Sequence, residues 1–309
     1  MQVSFIIPLF DCLALTQAMV RSLQATLPPA LDHEIILVDD GSTDGTRAWL
    51  ATLQPPFRVV LHERNLGYAA ANNHGAAIAR GEILALLNND LVLKSRWLEP
   101  MLVLLQRLGP QAGLVGNVQR VAATGAIDHA GIFINSKGKP EHERTLPWWA
   151  WLPVAQWRQA DMVTGACMLI PRALWQQLGG FDEGYVNGCE DVDLCLRARQ
   201  AGRTNAVALN SVVSHHVSSS PGRKARNEQN TFRLTRRWQR ELAACATRRW
   251  CRDYCEGNLF LPRDRAPLLA LKIWAYAASL SRTPPSVATA AVNAAIGQEL
   301  SRWQEMFAP

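Results

Sequence analysis

Apolar positions along the chain fall into two patterns. Residues 3–9, 34–38, 58–61 and 83–87 are short runs rich in Ile, Val and Leu, closed off by polar residues, proline or glycine. Unbroken runs of this length predict strands covered on both faces, the habit of a parallel sheet. Between them the period lengthens. Leu15, Met19 and Leu23 recur at helical spacing before Pro28-Pro29. Trp49, Leu50 and Leu53 mark a second helix, and residues 66–79 form an alanine-rich third that Gly81 stops. A β-α-β-α-β-α-β order over the first 87 residues predicts right-handed crossovers and an α/β fold with a mainly parallel sheet.

Further on the pattern is mixed. Trp97, Met101, Leu104, Leu105 and Leu108 mark a helix ended by Gly109-Pro110, and residues 114–118 read as a strand. A hairpin is predicted between Ala126 and Lys139, with Ser136-Lys137-Gly138 as its turn. An aromatic, proline-punctuated loop follows at 146–157, then a strand at 162–170, helices at 172–178 and 191–201, and a last strand at 205–214. Residues 218–226 are polar and read as a boundary. The chain thus divides into an α/β domain at 1–220 and a helical extension at 221–309, interrupted at Pro262, Pro267 and Pro284-Pro285.

Ligands of open α/β sheets gather where the strands end. After the fourth strand come Asn88, Asn89 and Asp90. Asp90 is either a hard oxygen ligand placed to hold Mg²⁺ or Mn²⁺ against a diphosphate, or a plain loop carboxylate. After the second strand come Asp39, Asp40, Gly41 and Ser42. A carboxylate there can accept the imide N–H of a pyrimidine base, Gly41 allows a tight turn, and Ser42 can cap the next helix; an acidic N-cap loop reads the same way. Asn65, Gly67 and Asn73 accompany small residues that either admit a ligand or let the third helix pack closely. Glu190, Asp191 and Asp193 open a helix, where the macrodipole favours negative charge. One of them can also act as general base toward a hydroxyl. His215 and His216 are adjacent on a strand and point to opposite faces, so at most one joins a given site.

Composition narrows the field. With 48% hydrophobic and 19% charged residues, the chain is ordinary globular protein. A net charge of +6 favours nucleotides, diphosphates or an anionic membrane face, and no nucleic-acid partner is expected. Seven cysteines without a Cys-x-x-Cys pair argue against zinc or thioredoxin chemistry and suit reduced thiols in a cytosolic protein. The first residues read as a strand rather than a signal peptide, and no apolar stretch reaches the length of about 18 residues that predicts a spanning helix.

Several stretches taken together resemble a known family. They are Ser4-Phe5-Ile6-Ile7-Pro8-Leu9-Phe10, Val38-Asp39-Asp40-Gly41-Ser42-Thr43-Asp44-Gly45-Thr46, Leu87-Asn88-Asn89-Asp90, and Gly179-Gly180-Phe181-Asp182-Glu183 leading to Glu190-Asp191-Val192-Asp193-Leu194, with Thr164 to Ile170 as a further likeness. The family is the inverting glycosyltransferases of family 2, which have the GT-A fold, and within it the rhamnosyltransferase-like branch that builds bacterial surface polysaccharide. The resemblance runs from about Val3 to Ser220 and implies roles. Asp40 would bind the pyrimidine base with Asp39 beside it. Pro8, Phe10, Gly41, Ser42, Asn65, Gly67, Asn73, Asn88 and Asn89 would line the nucleotide side. Asp90 would ligate the Mg²⁺ or Mn²⁺ that bridges the diphosphate, His215 would complete that site, and Asp191, flanked by Glu190, would be the base. The implied reaction passes a sugar from a UDP- or dTDP-linked donor to a hydroxyl of a saccharide or lipid-linked saccharide, with inversion at the anomeric carbon. Two departures stand out. Asn88 holds a position where the family often has Asp, and Asp11 replaces the usual asparagine and carries no assigned role.

The tail is basic, with Arg223, Lys224, Arg226, Arg233, Arg236, Arg237, Arg240, Arg248, Arg249 and Arg252. A solvated helix face and a peripheral contact between a cytoplasmic enzyme and the anionic inner membrane face both fit it. Two other functions share parts of this pattern. A nucleotidyltransferase would want a Gly-rich basic loop after the first strand, which Phe10-Asp11-Cys12-Leu13 is not. An inert sugar-binding module stacking sugars on Trp148, Trp149 and Trp151 would have no use for Asp90 and Asp191.

Overall fold

The computed structural model describes residues 2–146, 150, 156–216, 226–257 and 267–308. Two compact units divide the chain: one holds 1–132 and 142–226, the other 133–141 and 227–309. The expected boundary at 220/221 lies outside the described residues, as do Trp148, Trp149 and Trp151.

In the first unit β1 (Val3–Leu9), β2 (His33–Asp39), β3 (Phe57–Leu61) and β4 (Ile83–Leu87) run parallel, with β1 between β2 and β4. The crossovers are α1 (Leu13–Thr26), α2 (Thr46–Leu50) and α3 (Tyr68–Ile78). The unbroken apolar runs have the cause expected of them, because both sheet faces are covered. Phe5, Ile7, Ile35 and Leu37 join Met19, Leu23, Trp97 and Met101 in one core. Ile6, Ile36 and Val38 point the other way, toward α3. The alanines of α3 let it come close. At Gly75 an added Cβ would stand 2.6 Å from Ile6 Cγ2, so only glycine fits there. Burying each such Val, Leu or Ile contributes about 1.5–3 kcal/mol.

The chain continues through β5 (Leu91–Val92), α4 (Glu99–Leu108), β6 (Ala112–Val121), β7 (Ile127–His129), β8 (Ile132–Ile134), β9 (Pro140–His142), β10 (Trp157–Gln159), β11 (Cys167–Pro171), α5 (Arg172–Leu178), α6 (Glu190–Gln200) and β12 (Thr204–His215). The main sheet is ordered β10-β12-β6-β11-β4-β1-β2-β3, with β5 added to β12 and β7 to β6. β11 lies antiparallel between β4 and β6. Consequently the carboxyl ends of β1, β2, β4, β6 and β12 and the start of β11 share one edge.

Four details differ from the sequence reading. α2 stops at Leu50, and Leu53 is reached by a turn whose N–H bonds Leu50 O. β5, β7 and β10 are strands of two or three residues, too short to show a period. The hairpin keeps its turn, with Gly138 N–H on Asn135 O, but its arms are β8 and β9, while 127–129 folds back on β6. Residues 163–166 leave the ladder ahead of β11 and turn toward the shared edge.

The second unit contains α7 (Asn227–Gly257), broken at Trp238 where ψ is 26°, α8 (Pro267–Ala277) and α9 (Ser286–Met306). Ile273, Tyr276, Cys251 and Ala288 form one small buried cluster within it. Lys139 pairs with Glu299 at 3.1 Å, and Gly138 sits against Ile296. Among the described residues no helix is long and apolar enough to cross a membrane.

Candidate active site

The loops after β1 and β2 are laced together. Asp11 and Cys12 both take left-handed backbone, at φ 52° and 59°. Such a conformation costs a non-glycine residue about 1–2 kcal/mol. Asp11 N–H donates to Ser42 Oγ at 2.8 Å, Asp11 Oδ1 accepts Thr43 N–H at 2.7 Å, and Leu13 N–H donates to Asp44 Oδ2 at 2.8 Å. Asp11, given no role from sequence, therefore ties the two loops. Pro8 is still in the ladder opposite Val38, and Phe10 is exposed beside it.

The two aspartates of the next motif are both buried and differ in surroundings. Asp39 Oδ2 accepts Arg47 Nε–H at 2.8 Å, and Ser42 N–H lies 3.3 Å from Oδ1, so this carboxylate closes the turn. Asp40 Oδ1 meets His62 Nδ1 at 2.7 Å and Leu66 N–H at 2.8 Å, while Oδ2 accepts Gly67 N–H at 2.8 Å. A carboxylate offers about four lone-pair sites, which leaves one on Oδ2. His62 is in turn met by His74, 2.8 Å from its Nε2. Gly41 lies against the backbone of Arg64 and Asn65, which brings the loop after β2 into contact with the segment before α3. Asn73 is used elsewhere. Its Nδ2 donates to Phe181 O and Glu183 Oε1, and its Oδ1 accepts Phe181 N–H, so the amide holds the segment that leads to α6.

β4 delivers Asn88, Asn89 and Asp90 to the same edge. Asn88 N–H donates to Ala166 O at 2.8 Å, and Asn89 Nδ2 donates to Thr16 Oγ1 at 2.9 Å. Asp90 and His215 meet at the end of β12, where Leu91 pairs with His215. His215 Nε2 is 3.1 Å from Asp90 Oδ1, and both side chains are buried. Adjacent His216 is exposed and uses its backbone N–H on Asp90 O. Asp90 Oδ1, Asn88 Oδ1 and both ring nitrogens of His215 are buried without a well-aligned hydrogen bond. Polar atoms withdrawn from water in this way are costly unless something else meets them. A carboxylate oxygen and an imidazole nitrogen aimed together fit a divalent cation such as Mg²⁺ or Mn²⁺. Among the described residues no group of three His, Cys, Asp or Glu side chains could hold a metal, so water or ligand oxygens would complete the shell. Burial first, then Asp44, Asp11 and Asp90, pushes the Cys12 thiol above its ordinary pKa.

Asp191 stands at the start of α6. Its Oδ2 accepts Gly165 N–H and its Oδ1 accepts Val192 N–H, both at 2.8 Å. Tyr68 O–H donates to Gly165 O at 2.8 Å, and Tyr68 follows Gly67 on α3. The residues after Gly67 therefore lead through Tyr68 to Gly165 and Asp191, while Ala166 leads to Asn88 and Asp90. Glu190 is buried, with Oε2 on Gly188 N–H at 2.7 Å. Asp193 is fully buried against Arg197 at 2.7 Å, and Arg197 also donates to Leu178 O and Gly180 O.

Sequence reasoning missed a buried group beyond β6. Asp128 Oδ2 lies 4.0 Å from His215 Nδ1 and 3.7 Å from His142 Nδ1. The His142 ring beside it holds the Asp128 carboxyl below its usual range. His129 is fully buried, and that burial first, then the neighbouring His142, Arg158 and His215, which disfavour a further positive charge, push its pKa well below 6.5. Neither separation along the chain nor residue type distinguished these residues from ordinary hairpin positions.

The sequence model of Glycosyl transferase family 2 matches residues 4–174. The chain is 34% identical over 233 residues to the O-antigen biosynthesis protein RfbC of Myxococcus xanthus, covering 71% of this chain and 18% of that protein. It is 28% identical over 217 residues to an N-acetylglucosaminyl-diphospho-decaprenol L-rhamnosyltransferase of Mycobacterium tuberculosis, covering 61% and 68%. Among solved structures it resembles GalNAc-T7 with UDP, GalNAc and Mn²⁺, at TM-score 0.64 and 18% identity over 87% of this chain and 53% of that one. That likeness is one of GT-A fold.

Proposed function

Because the chain belongs to glycosyl transferase family 2, we propose that it is an inverting sugar transferase. It moves a hexosyl or deoxyhexosyl group from a UDP- or dTDP-linked donor to a hydroxyl of a saccharide or lipid-linked saccharide, in bacterial surface polysaccharide synthesis. The observation that carries this reading is the buried Asp90–His215 pair, with Asp90 Oδ1 and both His215 nitrogens unmet, on the edge where Gly165 bonds Asp191 and the next residue, Ala166, bonds Asn88. The decaprenol-linked acceptor in the name of the mycobacterial relative supports a lipid-linked substrate. Family membership sets aside the nucleotidyltransferase reading.

Asp40 takes the base N–H on its remaining lone pair, while Asp39 and Arg47 keep the turn that presents it. Asp90 and His215 are the residues that would hold Mg²⁺ or Mn²⁺ against the diphosphate; when bound, the cation offsets the negative charge that grows on the leaving diphosphate. Asn88 Oδ1 faces the same edge without a partner of its own. Asp191, pinned by Gly165 and Val192, keeps a lone pair on each oxygen for the acceptor hydroxyl. It takes that proton as the new bond forms on the face opposite the nucleotide. No covalent enzyme adduct is required, hence inversion. The test is transfer from a UDP- or dTDP-sugar panel with Mn²⁺, with the product anomer read by NMR. Asp191→Asn is expected to lose at least about 10²-fold in kcat with nucleotide affinity unchanged. A retained anomeric configuration, or an Asp191→Asn enzyme within threefold of wild type, would overturn the reading.

A peripheral contact with the inner membrane face belongs to the same proposal. Leu268, Leu271 and Trp274 recur every three residues on α8, with Leu280 just past its end, and all are more than half exposed. Lys272 and Arg282 are exposed among them. Trp and Leu beside basic residues suit the interfacial layer of an anionic bilayer. In flotation with anionic vesicles, Leu271→Glu/Trp274→Glu should stay at the bottom while wild type rises; equal partition would remove the membrane contact.

A further inference from the structure

The His215 ring lies between two buried carboxylates. Asp90 faces Nε2 at 3.1 Å, and Asp128 faces Nδ1 at 4.0 Å. The two come from opposite directions in the chain. Asp90 follows β4. Asp128 sits on β7, which folds back on the end of β6 so that His129 pairs with Gln119, while His215 pairs with Val121 on the same strand. The fold thus closes around one imidazole from three strand ends. Neither nitrogen of that ring has a hydrogen bond of its own. A neutral imidazole carries one N–H and one lone pair. If the lone pair on Nε2 is to serve a cation beside Asp90, the proton belongs on Nδ1, which among the described residues faces the carboxylate of Asp128. His142 Nδ1 lies 3.7 Å from the same Oδ2 and Arg144 3.9 Å from Oδ1, and both favour the Asp128 anion.

We propose that Asp128 is the positioning residue of the cation site: its charge, 4.0 Å from His215 Nδ1, favours the tautomer with the proton on that nitrogen, which presents the Nε2 lone pair beside Asp90 and makes the ring a stronger ligand. The inference rests on the cation reading above. Outer carboxylates of this kind typically change metal affinity by about 10–100-fold when removed. A purely structural Asp128, pairing only with His142 and Arg144, would hold the 127–144 segment and leave metal affinity alone.

The test is Mn²⁺ titration of the full chain, with and without UDP, followed by the EPR signal of free Mn²⁺. Asp128→Asn is expected to weaken Mn²⁺ binding by about 10–100-fold, and Asp128→Glu to recover most of the loss. In a His215→Ala background, Asp128→Asn should add less than a twofold change, because the ring it positions is gone. Should Asp128→Asn fail to fold, Asp128→Glu compared in the wild-type and His215→Ala backgrounds reads the same coupling. Mn²⁺ binding by Asp128→Asn within threefold of wild type overturns the inference, as does a full additional loss in the His215→Ala background. If wild type itself binds no Mn²⁺ in either condition, the cation reading fails, and that result is distinct from the other two.

Discussion

Replacing Gly41 by alanine perturbs the point where the loop after β2 touches the backbone of Arg64 and Asn65. The new Cβ would stand 2.7 Å from Arg64 C, 2.8 Å from Asn65 N and 3.0 Å from Arg64 Cα. All three are backbone atoms, so no side chain can swing aside. Reaching an ordinary 3.4 Å contact from 2.7 Å requires the 64–65 backbone to retreat by 0.7 Å. Gly41 also has φ +86°, which adds about 1–2 kcal/mol for a residue with a Cβ. Overpacking of this kind costs about 1–3 kcal/mol. The sum is about 2–5 kcal/mol, which lowers the melting temperature of a unit this size by roughly 4–20 °C. The retreat also draws Leu66 and Gly67 N–H away from Asp40, whose carboxylate they fix. Nucleotide affinity should then fall by at least about tenfold, since bonds to charged groups contribute about 1.5–3 kcal/mol. Mn²⁺ binding without nucleotide should stay within about threefold, because Asp90 and His215 are held by β4, β5 and β12. Differential scanning fluorimetry and calorimetry with UDP measure both. Unchanged melting together with unchanged UDP affinity would show that this loop yields freely and that the Asp40 cradle is not where the base binds.

Other outcomes follow from the same geometry. Arg197→Ala should cost about 3–5 kcal/mol in urea unfolding, because it leaves the buried Asp193 carboxylate without its cation and frees the carbonyls of Leu178 and Gly180. His129 resists protonation when folded and accepts a proton normally when unfolded, so the unfolded state binds more protons as pH falls below about 6.5. Its contribution to stability is intact above that pH and shrinks by up to about 1.4 kcal/mol per unit below it, until the folded-state pKa is reached. His129→Gln should flatten the slope of stability against pH between about 6.5 and 5, and an unchanged slope would place the acid sensitivity elsewhere. Chelation of divalent cations should abolish transfer and Mn²⁺ restore it; full activity in chelator would remove the role given to Asp90 and His215.

Much of the site could be read from order along the chain. Asp40, Asp90 and Asp191 each follow a strong local signal, either a strand end or a helix start. Such signals depend only on neighbours within a few residues, so they survive without tertiary knowledge. Asp11 and Asp128 had no such signal. Asp11 acts by accepting from Thr43, 32 residues away, and Asp128 by facing a ring 87 residues on. The division of labour between Asp39 and Asp40 was likewise hidden, because it depends on whether Arg47 or His62 meets the carboxylate. Asn73 looked like a ligand amide from its motif, yet its partners come from 181–183.

By itself the sequence determined the parallel β1–β4 core, since residues buried on both faces must be apolar without alternation, and it determined which carboxylates stand where strands end. Tertiary structure decided that Asp90 meets His215 rather than His216, that Gly165 and Ala166 link Asp191 to Asn88, and that residues 133–141 join the second unit. Those choices depend on pairing between segments far apart in the chain, where register and side of the sheet are set by packing that no local pattern records.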